Sequence, residues 1–170
     1  MVNRIRARRA FAAGLIVLVT GAAIGGCSKP APRAATPPIE PSDPWTAADL
    51  MRPAELDSVL AGPESARPLL LHVGFGVLYH GGAIPGSRYV GPGSKPEGIA
   101  AMQATVKDLP RDRAIVIYCG CCPWDHCPNM RPAFRALRDL GFTRVRALYI
   151  TKNLDTDWAE AGFPIEKPTD

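Results

Sequence analysis

From residue 45 onward two periodicities alternate along the chain. Leu69-Leu70-Leu71-His72-Val73 and residues 114–118 are short continuous apolar runs, and residues 145–150 are another interrupted only by Arg146, the pattern of strands buried on both faces of a parallel sheet. Between them lie segments that are apolar at every third or fourth position. Residues 53–61 carry Leu56, Val59 and Leu60 behind a proline suited to a first turn, and Gly62-Pro63 ends them. Residues 96–109 carry Ile99, Met102, Val106 and Leu109. Residues 129–140 carry Met130, Phe134, Leu137 and Leu140 and stop at Gly141. A last short helix is predicted over 155–161, closed by Gly162-Phe163-Pro164, and residues 74–93 form a glycine-rich connection. Strands alternating with amphipathic helices predict an α/β layer fold.

The first 44 residues follow neither pattern. Arg4, Arg6, Arg8 and Arg9 precede an apolar stretch over residues 10–24, which is the form of a secretory signal. Ile24-Gly25-Gly26-Cys27 then resembles a bacterial lipobox, in which the cysteine is acylated and becomes the mature N-terminus. The stretch is short and rich in Ala and Gly for a retained membrane anchor. Arg8-Arg9-Ala10-Phe11 also resembles a twin-arginine export motif. Prolines 30, 32, 37, 38, 41 and 44, with almost no large apolar neighbour, make the next segment an extended tether. The expected organisation is a signal peptide over 1–26, an acylated Cys27 with a tether over 27–44, and one domain over 45–170. Ser28 after the acylated cysteine favours the outer membrane facing the periplasm, hence a lipid-anchored envelope protein.

Processing also changes the charge picture. The chain has 20 basic and 16 acidic residues, but four of the arginines lie in the signal, so the mature part is balanced at 16 against 16. The apparent basicity belongs to targeting and implies no nucleic-acid partner.

Candidate chemistry is concentrated in one place. Cys119, Cys121, Cys122 and Cys127, four of the five cysteines, fall directly between the strand at 114–118 and the helix at 129–140. Such a loop opens at the carboxyl end of the sheet, where α/β proteins bind ligands. It faces a helix N-terminus, whose free N–H groups stabilise thiolates. Three kinds of chemistry are open: a reactive thiol, a disulfide joining Cys119 or Cys122 to Cys127, and a soft metal held by the cysteines with His126. The spacing matches no paired C-x-x-C metal pattern, and no cysteine has the C-x5-R of a cysteine phosphatase. Asp125 and His126 are placed to tune thiol pKa values, and Pro123 with Trp124 to form a lid. His72 and Trp158 read as core.

Several segments together resemble the rhodanese-like domain family. Ile84-Pro85-Gly86-Ser87 is similar to its "GHIPGA" segment, and Ile115-Val116-Ile117-Tyr118-Cys119 to the strand that ends in its nucleophile. Residues 137–145 are similar to its "L…LGF..V" stretch, and Trp158, Gly162 and Pro164 to its closing "W…G.P". The likeness runs over about residues 45–165 and implies a parallel sheet flanked by helices on both faces. It also implies a sulfurtransferase or persulfide carrier that needs no cofactor or metal and acts on a small sulfur-containing substrate or a protein thiol. Cys119 would be the nucleophile, with Gly120 turning the backbone at the substrate. Cys122 and Cys127 would be resolving or alternative nucleophiles, and Arg131 would hold a thiosulfate-like anion. Three departures stand out. The family's Asp-Val-Arg is here His72-Val73-Gly74, no cysteine has an arginine after four intervening residues, and the loop is about five residues longer than usual in that pattern. A thiol–disulfide redox protein, a metal-binding module and a non-catalytic partner-binding domain are the alternatives on the same fold.

Overall fold

The computed structural model describes residues 38–169. The signal peptide expected at 1–26 and the acylated Cys27 lie outside the described residues, and no described helix is long and apolar enough to cross a membrane. Five parallel strands form one sheet: β1 (Leu50–Met51), β2 (Leu69–His72), β3 (Arg88–Tyr89), β4 (Ile115–Tyr118) and β5 (Val145–Leu148), in the order β1-β5-β4-β2-β3. The helices are α1 (Pro53–Leu60), α2 (Gly76–Gly81), α3 (Pro96–Val106) and α4 (Met130–Asp139).

Alternation along the strands divides the core in two. Leu71, Val73, Ile115, Ile117, Val145 and Ala147 face Met102 and Val106 of α3 and Ala133, Phe134 and Leu137 of α4. Leu70, Val116, Tyr118 and Leu148 face Leu56 of α1 and, from the C-terminal segment, Leu154 and Trp158. The sheet is therefore covered by helices on both faces, as the continuous apolar runs require. The final helix predicted over 155–161 is a single π turn, Asp155–Ala159, whose Trp158 is fully buried and donates from Nε1 to the carbonyl of Pro164 at 2.7 Å.

Helix α4 ends where the sequence says it should. Gly141 has φ +87°; its N–H bonds the carbonyl of Arg138 at 2.8 Å, and that of Phe142 bonds Leu137 at 3.1 Å. This is the Schellman arrangement, which needs a residue tolerant of the left-handed region. The Ile84-Pro85-Gly86-Ser87 segment closes as a turn, with Gly86 at φ +76° and the Ser87 N–H bonding Ile84 at 3.1 Å. It packs under β4: the Tyr118 hydroxyl accepts from the Ile84 N–H at 3.2 Å and lies 2.7 Å from Ser87 Oγ.

Strand order positions the site. β2 connects outward to β3 while β4 connects the other way to β5, so the order reverses between β2 and β4. Loops leaving adjacent strands in opposite directions open a crevice at their carboxyl ends. There the β2 exit (Val73, Gly74) meets the β4 exit (Cys119, Gly120), joined by the Val73 N–H to the Tyr118 carbonyl at 2.8 Å.

Candidate thiol site

The β4–α4 loop is held in place by three features. Gly120 adopts φ +69°, and a Cβ there would lie 2.7 Å from that of Leu154; its carbonyl accepts from the Leu154 N–H at 3.1 Å. Both the left-handed backbone and the close approach demand glycine. Trp124, in a 3-10 turn at Trp124–His126, is buried against Trp45 and Tyr149 with ring centroids 4.9 and 5.1 Å away. Its backbone N–H bonds the carbonyl of Thr151 at 3.3 Å. Trp124 thus fastens the loop down onto the core as an aromatic plug.

All four loop cysteines are free thiols. Cys119 Sγ donates to Cys121 Sγ at 3.0 Å, and Cys122 Sγ lies 3.1 Å from Cys121 on its other side. Cys119 and Cys127 are buried, at 3% and 5% exposure, whereas Cys121 and Cys122 are partly open. Cys121 is therefore the centre of the cluster and a sulfur that solvent reaches.

Electrostatics follow from these contacts. The hydrogen bond from Cys119, opposed by burial and helped by Cys122, Cys127 and Asn129, holds the Cys121 thiol down to about 5 from an ordinary 9.0. The same bond acts in reverse on Cys119: keeping its proton between Cys121 and Cys127, in a buried position, pushes its pKa far up. Cys122 is also raised, by burial and then by its proximity to Cys121. Cys127 is lowered to about 7, first by Cys119 and, against burial, by the N–H groups of Asn129 and Met130. That last effect is the helix N-terminus stabilising a thiolate.

Asn129 completes the site. It is fully buried immediately before α4, and its side chain makes no cap hydrogen bond. Its Nδ2 donates to Cys119 Sγ at 3.3 Å and reaches Cys121 Sγ at 3.9 Å, while Oδ1 accepts from the Ser94 N–H at 3.1 Å. Ser94 gets there because its neighbour is glycine: a Cβ on Gly93 would sit 2.2 Å from the Asn129 carbonyl oxygen. Gly74, where the rhodanese pattern has arginine, is constrained less severely, with a Cβ position 2.9 Å from His72 Cε1 and 3.0 Å from Cys119 Sγ. An arginine leaving that backbone position would have to displace the His72 ring or the Cys119 thiol.

The other sequence candidates fall as follows. Cys119, Cys122, Cys127 and Gly120 all meet in this loop. Arg131 does not turn its charge to the thiols: its Nε donates to Asp43 at 2.7 Å, its guanidinium lies over Trp45 at 5.5 Å, and Nη1 is 3.5 Å from the Asp125 carbonyl. Asp43 and Ser42, assigned to the tether, are fastened to α4 by Arg131 and by Arg135, which bonds the Ser42 carbonyl at 2.6 Å. His126 pairs with Asp125 at 2.9 Å in an exposed position. His72 is buried among Tyr79, Tyr89 and Tyr118, and burial lowers its pKa to about 4. The sequence does not single out Asn129, and it marks Cys121 only as one of the four clustered cysteines and a candidate soft-metal ligand, not as a candidate nucleophile. A cavity of about 510 Å³ opens elsewhere, at the amino ends of β2 and β4 beside Arg67, Arg88 and Arg113, and holds none of the thiols.

No family model and no curated protein matches the chain. Among solved structures, the rhodanese-like domain of the Alr3790 protein of Anabaena, determined by solution NMR, superposes with a TM-score of 0.51 at 21% identity, over 71% of this chain and 80% of that one. A crystal structure of the Alr3790 protein gives a TM-score of 0.51 at 23% identity, over 69% and 82%. The described residues therefore have a rhodanese-like fold, with a cysteine cluster on the loop after β4.

Proposed function

We propose that the protein is a sulfurtransferase or persulfide carrier whose loop cysteines accept and pass on a sulfane sulfur, with Cys121 as the attacking thiolate. One observation carries this reading: the cluster sits at the β2/β4 crevice, with its partly open central sulfur flanked by two thiols and backed by Asn129. In the first step the Cys121 thiolate attacks the outer sulfur of a donor such as thiosulfate. The sulfur–sulfur bond of the donor breaks, sulfite leaves with the electron pair, and Cys121 holds the sulfur as a persulfide anion. In the second step an acceptor thiolate takes the terminal sulfur and returns Cys121 as thiolate. Neither step requires proton transfer, which suits a cluster whose hydrogen bonds stabilise anions. Cys119, first choice by position, serves in this reading as donor to the reacting sulfur, and Cys122 and Cys127 remain available as resolving thiols.

With Arg131 paired to Asp43, its charge is not free to clamp an anionic donor as the family pattern implied. The test is intact mass after incubation with thiosulfate and after reductant. A reductant-labile gain of about 32 Da mapping to Cys121 supports the reading, on the approximate mass of one persulfide sulfur. Retention of that gain in Cys121→Ser would sink it.

We also propose that the protein is lipid-anchored in the cell envelope through Cys27, on the basis of the lipobox-like Ile24-Gly25-Gly26-Cys27. Labelled palmitate should enter the wild type and be absent from Cys27→Ala. A 3.0 Å approach of two thiols also suits a thiol–disulfide redox couple, which would show a reversible two-electron oxidation with loss of two protons, the electrons passing to an added disulfide oxidant, and no bound sulfur.

A further inference from the structure

We infer that Cys119, Cys121 and Cys127 form a three-sulfur site for a soft monovalent metal ion, Cu(I). Their sulfur atoms all lie within 4.8 Å of one another. Three thiolates around one ion at roughly 2.3 Å would stand about 4 Å apart, so the trio needs shifts of about 1 Å or less to close on a metal. Donor type decides the class of ion: soft thiolates select Cu(I), Zn(II) or iron–sulfur clusters. Structural zinc takes four protein ligands and an iron–sulfur cluster four thiolates. Here the trio excludes Cys122, and the nearest loop imidazole, His126, is exposed and engaged by Asp125. Three mutually close sulfurs match the low coordination number of Cu(I); Cys122, whose Sγ stands 3.1 Å from Cys121, is not one of the three.

The surroundings support the same assignment. Asn129, fully buried and anchored by the Ser94 N–H, directs its Nδ2 at Cys119 and Cys121 and would hold both sulfurs in place by N–H···S bonds. A void of about 10 Å³ beside Cys119 and Cys127 is lined also by Cys122, Trp124, Met130, Leu148 and Ile150, but not by Cys121. That is at the lower limit for a single water, so no hydration shell fits on this side of Cys119 and Cys127. Binding exchanges thiol protons for the metal: each coordinating cysteine that still carries its proton releases it to solvent, and no oxidation occurs. The site shares Cys121 with the proposed sulfur chemistry but does not depend on it.

The test is an anaerobic titration of the reduced full chain with Cu(I) in competition with a chromogenic Cu(I) chelator, followed by X-ray absorption of the loaded protein. The expected result is one ion per chain with three sulfur scatterers at about 2.3 Å. Replacing Cys127 by serine should weaken the ion by about 100-fold or more, and Asn129→Ala by about 10–100-fold, the usual effect of removing an outer-shell partner. Cys122→Ser should leave affinity within about threefold, because that sulfur lies outside the trio. Failure of the wild type to hold Cu(I) against the chelator overturns the inference, as does a four-sulfur shell, a preference for Zn(II), or equal losses in Cys122→Ser and Cys127→Ser. The wild-type titration and scattering do not depend on any variant folding, and retention of persulfide chemistry without copper binding would separate this inference from the proposed function.

Discussion

Cys119→Ala removes the S–H that donates to Cys121 at 3.0 Å, the largest influence holding the Cys121 thiol near 5. A hydrogen bond to a charged group is worth about 1.5–3 kcal/mol, or roughly 1–2 pKa units. Because Cys121 is partly open to solvent, the lower end applies, and its titration midpoint should rise from about 5 to about 6. At a pH near 5.5 the thiolate fraction then falls from roughly three quarters to about one quarter. Intrinsic nucleophilicity moves the other way: with a Brønsted slope near 0.45, one unit of pKa raises the plateau rate about threefold. The assay is the rate of iodoacetamide alkylation between pH 4 and 8, resolved to Cys121 by peptide fragmentation. Cys119→Ser restores a donor and should return the midpoint toward the wild-type value. If the Cys121 midpoint stays put in Cys119→Ala, or if Cys119 is alkylated before Cys121 in the wild type, the electrostatic account of the cluster is wrong.

Three further outcomes follow from contacts described above. Asp43→Asn should cost about 1–3 kcal/mol, because the Asp43 side chain is 1% exposed and its ion pair with Arg131 is lost, and should lower Tm by several degrees. A Tm within 1 °C of wild type would place residues 40–44 outside the folded domain. Gly120→Ala should destabilise by about 2–4 kcal/mol, combining a left-handed backbone with the 2.7 Å approach to Leu154, as read by urea unfolding. His72 has a folded pKa of about 4 against an ordinary 6.5, so the unfolded chain takes up its proton first as pH falls. Stability should therefore drop between pH 6.5 and about 4, by up to about 3 kcal/mol, and this part of the drop should vanish in His72→Gln. Parallel pH profiles for the two proteins would show that His72 is not kept neutral by the fold.

How far these features could be read in advance depends on what each one is made of. Strands β2 and β4 are legible because burial on both faces leaves a nearly continuous apolar run, β5 because Arg146 is the one polar residue in such a run, and α1, α3 and α4 because one face alone is buried. Strands β1 and β3 have two residues each, and two residues carry no periodicity; β1 exists only through its register on β5, Leu50 opposite Ala147. Helix α2 is hidden differently. It begins and ends in glycine and leaves Val77 79% exposed, so neither composition nor amphipathic pattern marks it out of the glycine-rich connection. The site divides along the same line. A strand, a cysteine-rich loop and a helix are local, so the place of the chemistry is visible in the spacing. The identity of the most acidic thiol is not local, because it depends on which sulfur stands between two others. Cys121 holds that position at 3.0 and 3.1 Å, while Cys119, nearer the strand, keeps its proton. Asn129 reads as an ordinary helix cap until Ser94, 35 residues earlier, takes its oxygen and turns its nitrogen to the sulfurs. Arg131 stands in the first turn of α4 in either reading, and only Asp43, 88 residues earlier, decides that its charge is paired away from the thiols. Spacing can locate a cysteine-rich loop, but the contacts that decide which of its thiols is most acidic form only once the chain has folded.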